Sequence, residues 1–202
     1  MALGFAARGP ALLDVLYDYD WRDMRSSQLS FNRMLEWSLH TGPQELTWFL
    51  DHAAHVDKDT ISHAVRGAPV KAACIEFLLQ RFGVGLFHGT RLLQSAAKRG
   101  RNDAVKMLLD AGMAVDELIP RPSHDDGDRL KTALYEAVYY QHEGTVQLLL
   151  TYGADPNKQV CDGGLDTPLR LAEGYGYSDI VGMLHRSLER NESGSRTWTS
   201  RL

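Results

Sequence analysis

The chain has 202 residues, 44% hydrophobic and 24% charged, and is therefore long enough to bury a sizeable core. Its formal net charge of −4 predicts no general attraction to nucleic acid or to anionic lipid. No apolar run reaches the roughly 20 residues of a membrane span, and the start lacks the basic and apolar regions of a signal peptide. Cys74 and Cys161 have no metal-type spacing, which favours a reducing intracellular address in the cytoplasm or nucleus.

The N-terminal half contains weak copies of a repeated helical pattern. Gly42 lies 33 residues after Gly9, and the apolar residues that follow each glycine keep the same spacing. A further copy opens at Asp59, and Cys74 begins its second apolar segment. Such periods are typical of stacked helical repeats. These copies are predicted at residues 3–24, 31–56 and 59–84.

The first of these copies is unusually apolar for the end of an array. A terminal repeat normally turns polar side chains outward, because it has no neighbour on one side. The alternatives are that a further N-terminal domain precedes the chain, or that a partner or second copy covers this end. The apolar side chains concerned are Leu3, Phe5, Leu12, Leu13 and Leu16.

The C-terminal half contains the clearest copies. Residues 132–137 read Thr-Ala-Leu-Tyr-Glu-Ala, and this copy ends with Gly-Ala-Asp-Pro-Asn at 153–157. The next copy opens with Thr-Pro-Leu-Arg-Leu-Ala at 167–172. Thr and Pro are suited to open a helix, and Gly to end one. These copies are predicted at residues 90–115, 131–157 and 166–190.

These segments resemble ankyrin repeats, which have a period of about 33 residues and a Thr-Pro-Leu-His-x-Ala signature. The signature histidine is replaced by Gln94, Tyr135 and Arg170. The resemblance implies an all-α solenoid of stacked helix-turn-helix units with short or irregular hairpin loops, covering residues 1–190. The eroded signatures and variable repeat lengths resemble the ankyrin proteins of filamentous fungi.

Two segments depart from the repeat. Residues 116–130 lengthen one repeat and are predicted to form an inserted loop, which in solenoids often lies on the binding face. Within it, 124–128 superficially resembles a calcium loop but lacks the alternating oxygen ligands, so we interpret it as a polar turn. Residues 191–202 are rich in Ser, Arg and Gly and are predicted to be a disordered tail.

By the ankyrin resemblance, residues that end the first helix of each repeat point to the concave face, and those before the Thr-x-Leu step lie at loop tips. Tyr and Arg are the side chains that anchor interfaces. The alternative is that the cations are a solvated helix end and the tyrosines pack between repeats. The partner-binding residues predicted in this way are Lys98, Arg99, Arg129, Lys131, Tyr139, Tyr140 and Tyr175.

Tryptophans and histidines of the N-terminal half have ordinary interpretations. Trp37 and Trp48 are predicted to be core residues, as tryptophans at helical spacing usually are. His52, His55 and His63 include a pair one helical turn apart, the spacing of a metal site. Without a neighbouring cysteine we favour surface histidines and predict no metal.

No nucleophile, phosphate-binding or dinucleotide motif is present, so no catalytic residue and no cofactor is predicted. The sequence favours a non-enzymatic module that binds a protein or peptide, with carboxylates on the partner matching the cations. One alternative is a small-molecule-binding or catalytic protein with a pocket near Trp37, His52 and His63. Another is a scaffold that oligomerises through its apolar first repeat.

Overall fold

The computed structural model describes residues 28–51, 56–67, 69–119, 131–160 and 167–199. Within these residues the chain forms ten α-helices, one short 3₁₀ helix at Val84–Leu86 and no β-strand. The all-α repeat fold implied by the ankyrin resemblance is confirmed. The helices are α1 Gln28–Thr41, α2 Pro43–Asp51, α3 Lys58–Gly67, α4 Ala72–Phe82, α5 Leu92–Lys98, α6 Asn102–Asp110, α7 Ala133–Tyr139, α8 Glu143–Thr151, α9 Pro168–Tyr175 and α10 Ser178–Thr199.

The helices form consecutive pairs, and the signature residues begin them as expected. Thr132 and Thr167 precede α7 and α9, and each hydroxyl oxygen accepts a hydrogen bond at 3.1 Å from a backbone N–H in the first turn. Pro168 occupies the start of α9, where its missing N–H is not needed for the helix. The helices α7 and α9 therefore each begin after a threonine that satisfies one of their free N–H groups.

The chain divides into two compact units between Leu92 and Leu93. In the first unit, α1 packs against α2 and α3, and α2 packs against α4. The core of this unit consists of apolar side chains that are almost fully buried, each worth about 2 kcal/mol of burial free energy. They include Leu35, Leu39, Leu46, Phe49, Ile61, Ile75 and Leu78.

In the second unit, corresponding helices of neighbouring repeats stack on one another. First helix α7 contacts first helix α9, and second helix α8 contacts second helices α6 and α10. The signature alanines permit this close approach, since Ala137 and Ala172 are fully buried. The first helices consequently lie side by side, which brings their C-terminal ends together.

The start of the insertion is tied to the start of α7. Ile119 and Lys131 form an isolated antiparallel bridge, so the chain leaves and re-enters the second unit at one point. Residues 120–130, including the predicted polar turn, lie outside the described residues. The bridge therefore holds the backbone of Lys131 immediately before Thr132, the N-cap residue of α7.

Two expectations differ from the structure. Trp37 is 40% exposed, so its prediction as a core residue is wrong: α1 buries Leu35 and Leu39, and a residue two positions after Leu35 lies on the opposite side of the helix. The expected disordered tail also differs, because α10 continues to Thr199. Extending an existing helix is easier than nucleating one, and no proline interrupts the sequence after Arg190.

Candidate functional site

Four tyrosine rings form a continuous row across two repeats of the second unit. Tyr139 contacts Tyr140 with ring centroids 5.0 Å apart, and it contacts Tyr175 at 6.4 Å. Tyr175 in turn stacks on Tyr177 at 5.6 Å. The first two contacts are edge-to-face, the arrangement that aromatic quadrupoles favour. The row follows the stacking of α7 on α9, since each helix ends in one of these tyrosines.

Two lysines border this row. The Lys98 ammonium, at the end of α5, lies 5.0 Å from the centroid of the Tyr140 ring. The Lys131 ammonium lies 5.4 Å from the Tyr139 ring and 5.5 Å from the Tyr135 ring. Residues 131, 135 and 139 are spaced four apart. Tyr135 and Tyr139 therefore lie on one face of α7, and Lys131 lies just before its first turn. We call the set Lys98, Lys131, Tyr139, Tyr140, Tyr175 and Tyr177 the tyrosine surface.

The tyrosines of this surface are only partly covered. Tyr139 is 44% exposed, Tyr140 40% and Tyr175 54%. The side chains that pack α7 and α9 into the core are different ones, such as Leu134, Val138 and Leu171. The ring-to-ring contacts therefore leave about half of each of these three residues exposed.

Lys131 has a buried counter-ion. Its ammonium lies 3.9 Å from a carboxylate oxygen of Glu136, whose side chain is 3% exposed, while the Lys131 side chain is 17% exposed. A buried carboxylate requires such a partner, because desolvation penalises an isolated charge. Glu136 thus holds the Lys131 ammonium close to the rings of Tyr135 and Tyr139.

Lys98 is positioned through its backbone by the next repeat. His142 Nε2 lies 3.0 Å from the carbonyl oxygen of Lys98. Its ring stacks on Tyr140 with centroids 6.5 Å apart and packs against Gly100 so closely that an added Cβ would meet Nδ1 at 2.9 Å. The same imidazole therefore contacts both the Tyr140 ring and the turn that carries Lys98.

The structure brings Lys98, Lys131 and the three predicted tyrosines together, whereas Arg99 does not join them. Arg99 turns its guanidinium back onto the hydroxyl and the carbonyl oxygen of Ser95, within its own helix turn. Arg129 lies outside the described residues. The prediction that Arg129 binds a partner therefore stays a prediction.

Sequence reasoning missed Tyr177, Glu136 and His142. Tyr177 lies two residues after the end of α9, in the turn between two helices. Its spacing from Tyr175 could have indicated it, because Gly176 between them adopts the left-handed conformation (φ +72°) in which the chain turns. Glu136 contacts Lys131, and His142 contacts the Lys98 carbonyl oxygen 44 residues away; no motif within one repeat indicates either contact.

The features that would support other functions are weak in the described part of the chain. His63 is exposed and Trp37 is 40% exposed, while His52 and His55 lie outside the described residues. No group of three or more potential metal ligands occurs among the residues described. Burial raises the pKa of the Cys74 thiol to about 11, so this cysteine is protonated at neutral pH.

An open cleft of about 710 Å³ lies between α8 and α10, and none of these N-terminal residues lines it. Its apolar side chains are Leu150 and Met183, and charged and amide groups surround them.

None of the helices in the described ranges is both long and apolar enough to cross a membrane.

Comparison with known proteins agrees with the helix pairs. A family model described as three copies of the ankyrin repeat matches residues 61–160, a stretch that runs from within α3 to beyond α8 and contains three helix pairs. The chain is an ankyrin-repeat protein. Ankyrin repeats are generally protein–protein interaction modules, and the family is typically non-catalytic.

A curated ankyrin relative supports the same assignment. Ankyrin repeat and SOCS box protein 11 from Danio rerio is 40% identical to this chain over 80 residues. Those residues are 40% of this chain and 24% of the relative, so the match spans about a quarter of the relative's length. Within the ankyrin array, the family model includes Lys98, Lys131, Tyr139 and Tyr140, whereas Tyr175 lies beyond it.

Proposed function

We propose that this ankyrin protein is a non-enzymatic module that binds a protein or peptide partner through its tyrosine surface. The observation that carries the proposal is the continuous row of partly exposed rings from Tyr140 to Tyr177, bordered by Lys98. Tyrosine provides a large rigid contact area with a polar hydroxyl at its tip, which is why it is enriched at interface hot spots.

The packing alternative explains this arrangement less well. Leu134, Ala137 and Ala172 are fully buried, so side chains other than the tyrosines form the core of the first helices. An aromatic pair contributes about 0.5–1.5 kcal/mol beyond its buried area. Tyr175 nevertheless remains 54% exposed, which leaves much of this residue open to a partner.

The charges favour an acidic partner. Lysine ammonium groups already lie over the rings of Tyr139 and Tyr140, so these rings are poorly placed to receive a cation from a partner. A carboxylate can instead contact the Lys98 ammonium while an apolar group contacts the exposed part of the Tyr140 ring. We therefore expect an extended or helical segment bearing Asp or Glu, and we place this encounter inside the cell.

The experiment is a comparative capture from cell extract with two matched variants. Tyr139→Ala with Tyr140→Ala is expected to weaken binding of the specific partner at least about tenfold, or about 1.4 kcal/mol. The thermal midpoint should hardly change, because both side chains are exposed. Partners are identified by mass spectrometry, and affinity is then measured by calorimetry.

The control is Tyr152→Ala, which removes a tyrosine at the opposite end of the α7–α8 pair, where its hydroxyl contacts Asp110. This variant should keep the partner. If the partner binds the double variant with wild-type affinity, the tyrosine surface is not the binding site.

A further inference from the structure

We infer that the tyrosine surface is electrostatically polarised, so that a partner's acidic residues contact Lys98 and its neutral or apolar residues contact the surface from Tyr139 to Tyr177. The inference rests on the proposed function and adds to it the direction and charge pattern of the bound segment. It depends on a difference between the two lysines of the surface.

Among the residues that the structure describes, those at the Lys131 end of the surface form a nearly neutral pair. The Lys131 ammonium is 3.9 Å from Glu136, and both side chains are largely shielded from solvent. The field of such a pair falls off as that of a dipole, so a carboxylate arriving at Tyr139 meets little net attraction. It would also be repelled by the Glu136 carboxylate, which lies one helical turn before Tyr139.

The Lys98 end differs, because no ion pair compensates its charge among the described residues. No carboxylate oxygen of these residues lies within 4.0 Å of the Lys98 ammonium, which instead contacts the face of Tyr140. The adjacent Arg99 keeps its charge while contacting Ser95, a neutral side chain. The nearby Arg101 is paired with Asp103 at 2.9 Å and adds little net charge.

These positions define one occupant, an acidic segment of a protein. Its carboxylates lie at the end of α5, where Lys98 attracts them, and a neighbouring apolar group contacts the exposed part of Tyr140. Toward α9 the segment meets Tyr139, Tyr175 and Tyr177. These residues suit partner side chains that bury apolar area or accept a hydrogen bond from a tyrosine hydroxyl. A segment that is acidic along its whole length would gain attraction over only part of this surface.

The test uses a random peptide library displayed on phage and the full 202-residue protein. Peptides are selected on the wild-type chain and depleted on Tyr139→Ala with Tyr140→Ala, so only tyrosine-dependent binders remain. We expect the enriched peptides to carry Asp or Glu clustered toward one end. A spin label at that acidic end should broaden amide resonances near Lys98 more than those near Tyr175.

Charge variants then separate the two lysines. Lys98→Glu should weaken the selected peptides about tenfold or more. Lys131→Gln combined with Glu136→Gln removes the buried pair without stranding either charge, and should weaken them less than about threefold. Lys58→Glu makes the same change in net charge in the first compact unit and serves as the control.

The outcomes distinguish the inference from the proposed function. If no tyrosine-dependent peptide is enriched, the proposed function fails. If such peptides are enriched but lack an acidic cluster, or lose as much affinity with the Lys131–Glu136 variant as with Lys98→Glu, the tyrosine surface binds without polarity. An acidic end that broadens Tyr175 rather than Lys98 also overturns the inference.

Discussion

The side chain of His142 contacts three residues at the Lys98 end of the tyrosine surface. The imidazole contacts the Lys98 carbonyl oxygen, lies against Gly100 and stacks on Tyr140. Gly100 is required there for two reasons: its φ is +66°, and a Cβ would overlap the ring of His142. A change at Gly100 should therefore alter both stability and the position of Lys98.

We expect Gly100→Ala to destabilise the protein by about 1–3 kcal/mol, through left-handed strain plus collision with His142. Gly112→Ala is the matched control, since Gly112 also has positive φ (+96°) but has nothing within 4 Å of an added Cβ. Urea unfolding should show the larger loss for Gly100→Ala. Equal losses would mean that the His142 contact contributes nothing.

Gln141 is a further single-residue case, because it has φ +58° at the turn where other repeats have Gly100 and Gly176. A non-glycine residue in this conformation carries about 1 kcal/mol of strain, partly offset because glycine loses more entropy on folding. We expect Gln141→Gly to stabilise the protein by up to about 1 kcal/mol. Gln141→Ala should be nearly neutral, and a destabilising Gln141→Gly would show that the turn is not strained.

Among the helices, α9 depends on a cap and supports the exposed end of the tyrosine surface. Thr167 accepts a hydrogen bond from the Arg170 N–H at 3.1 Å, and Tyr175 ends the same helix. We expect Thr167→Ala to cost about 1 kcal/mol and Thr167→Ser almost nothing, because serine retains the accepting oxygen. Chemical unfolding of both variants measures this difference. Similar losses for both would assign the effect of Thr167 to its methyl group.

Loops of successive repeats are joined by Asp116, whose carboxylate accepts a hydrogen bond from the Asp155 N–H at 3.0 Å. Burial raises the pKa of Asp116 above its usual value of 3.8. Folding therefore favours the neutral form, and stability is lost as pH rises through the raised folded-state pKa. Asp116→Asn keeps an acceptor but removes this penalty.

We consequently expect Asp116→Asn to be more stable than the wild type at pH 7, with a smaller difference at pH 3, where the wild-type carboxyl is protonated. Urea unfolding at both pH values measures the comparison. A difference that is the same at both, or a less stable variant at pH 7, would contradict the assigned cause.

How far the sequence predicts these elements depends on what each contact requires. The helix pairs from Leu92 onward follow from motifs within single repeats, such as Thr-Pro-Leu and the closing glycines. The exposed position of Trp37 on α1 could not be predicted, because the sequence of this degenerate repeat does not show which face of the helix is buried. The His142 and Glu136 contacts depend on how one repeat packs on the next or on the insertion that precedes it, which a motif within one repeat does not encode.

The whole chain consists of two compact units, and every residue of the tyrosine surface belongs to the second one, Leu93–Leu202. The N-terminal predictions, a further domain or self-association through Leu13 and its neighbours, concern residues outside the described ranges and stay predictions. The fungal resemblance also stays a prediction. At this scale the central claim is that a protein partner lies on the second unit, across the ends of its first helices.

Site-specific photo-crosslinking tests that claim most directly. A photoreactive phenylalanine analogue replaces Tyr140, Tyr175 or, as the control, Tyr152 at the opposite end of the helix pair. The account predicts that the partner recovered by capture becomes covalently attached from positions 140 and 175, and hardly at all from position 152. Attachment from position 152 alone, or none from 140 and 175 while the partner remains bound, would contradict it.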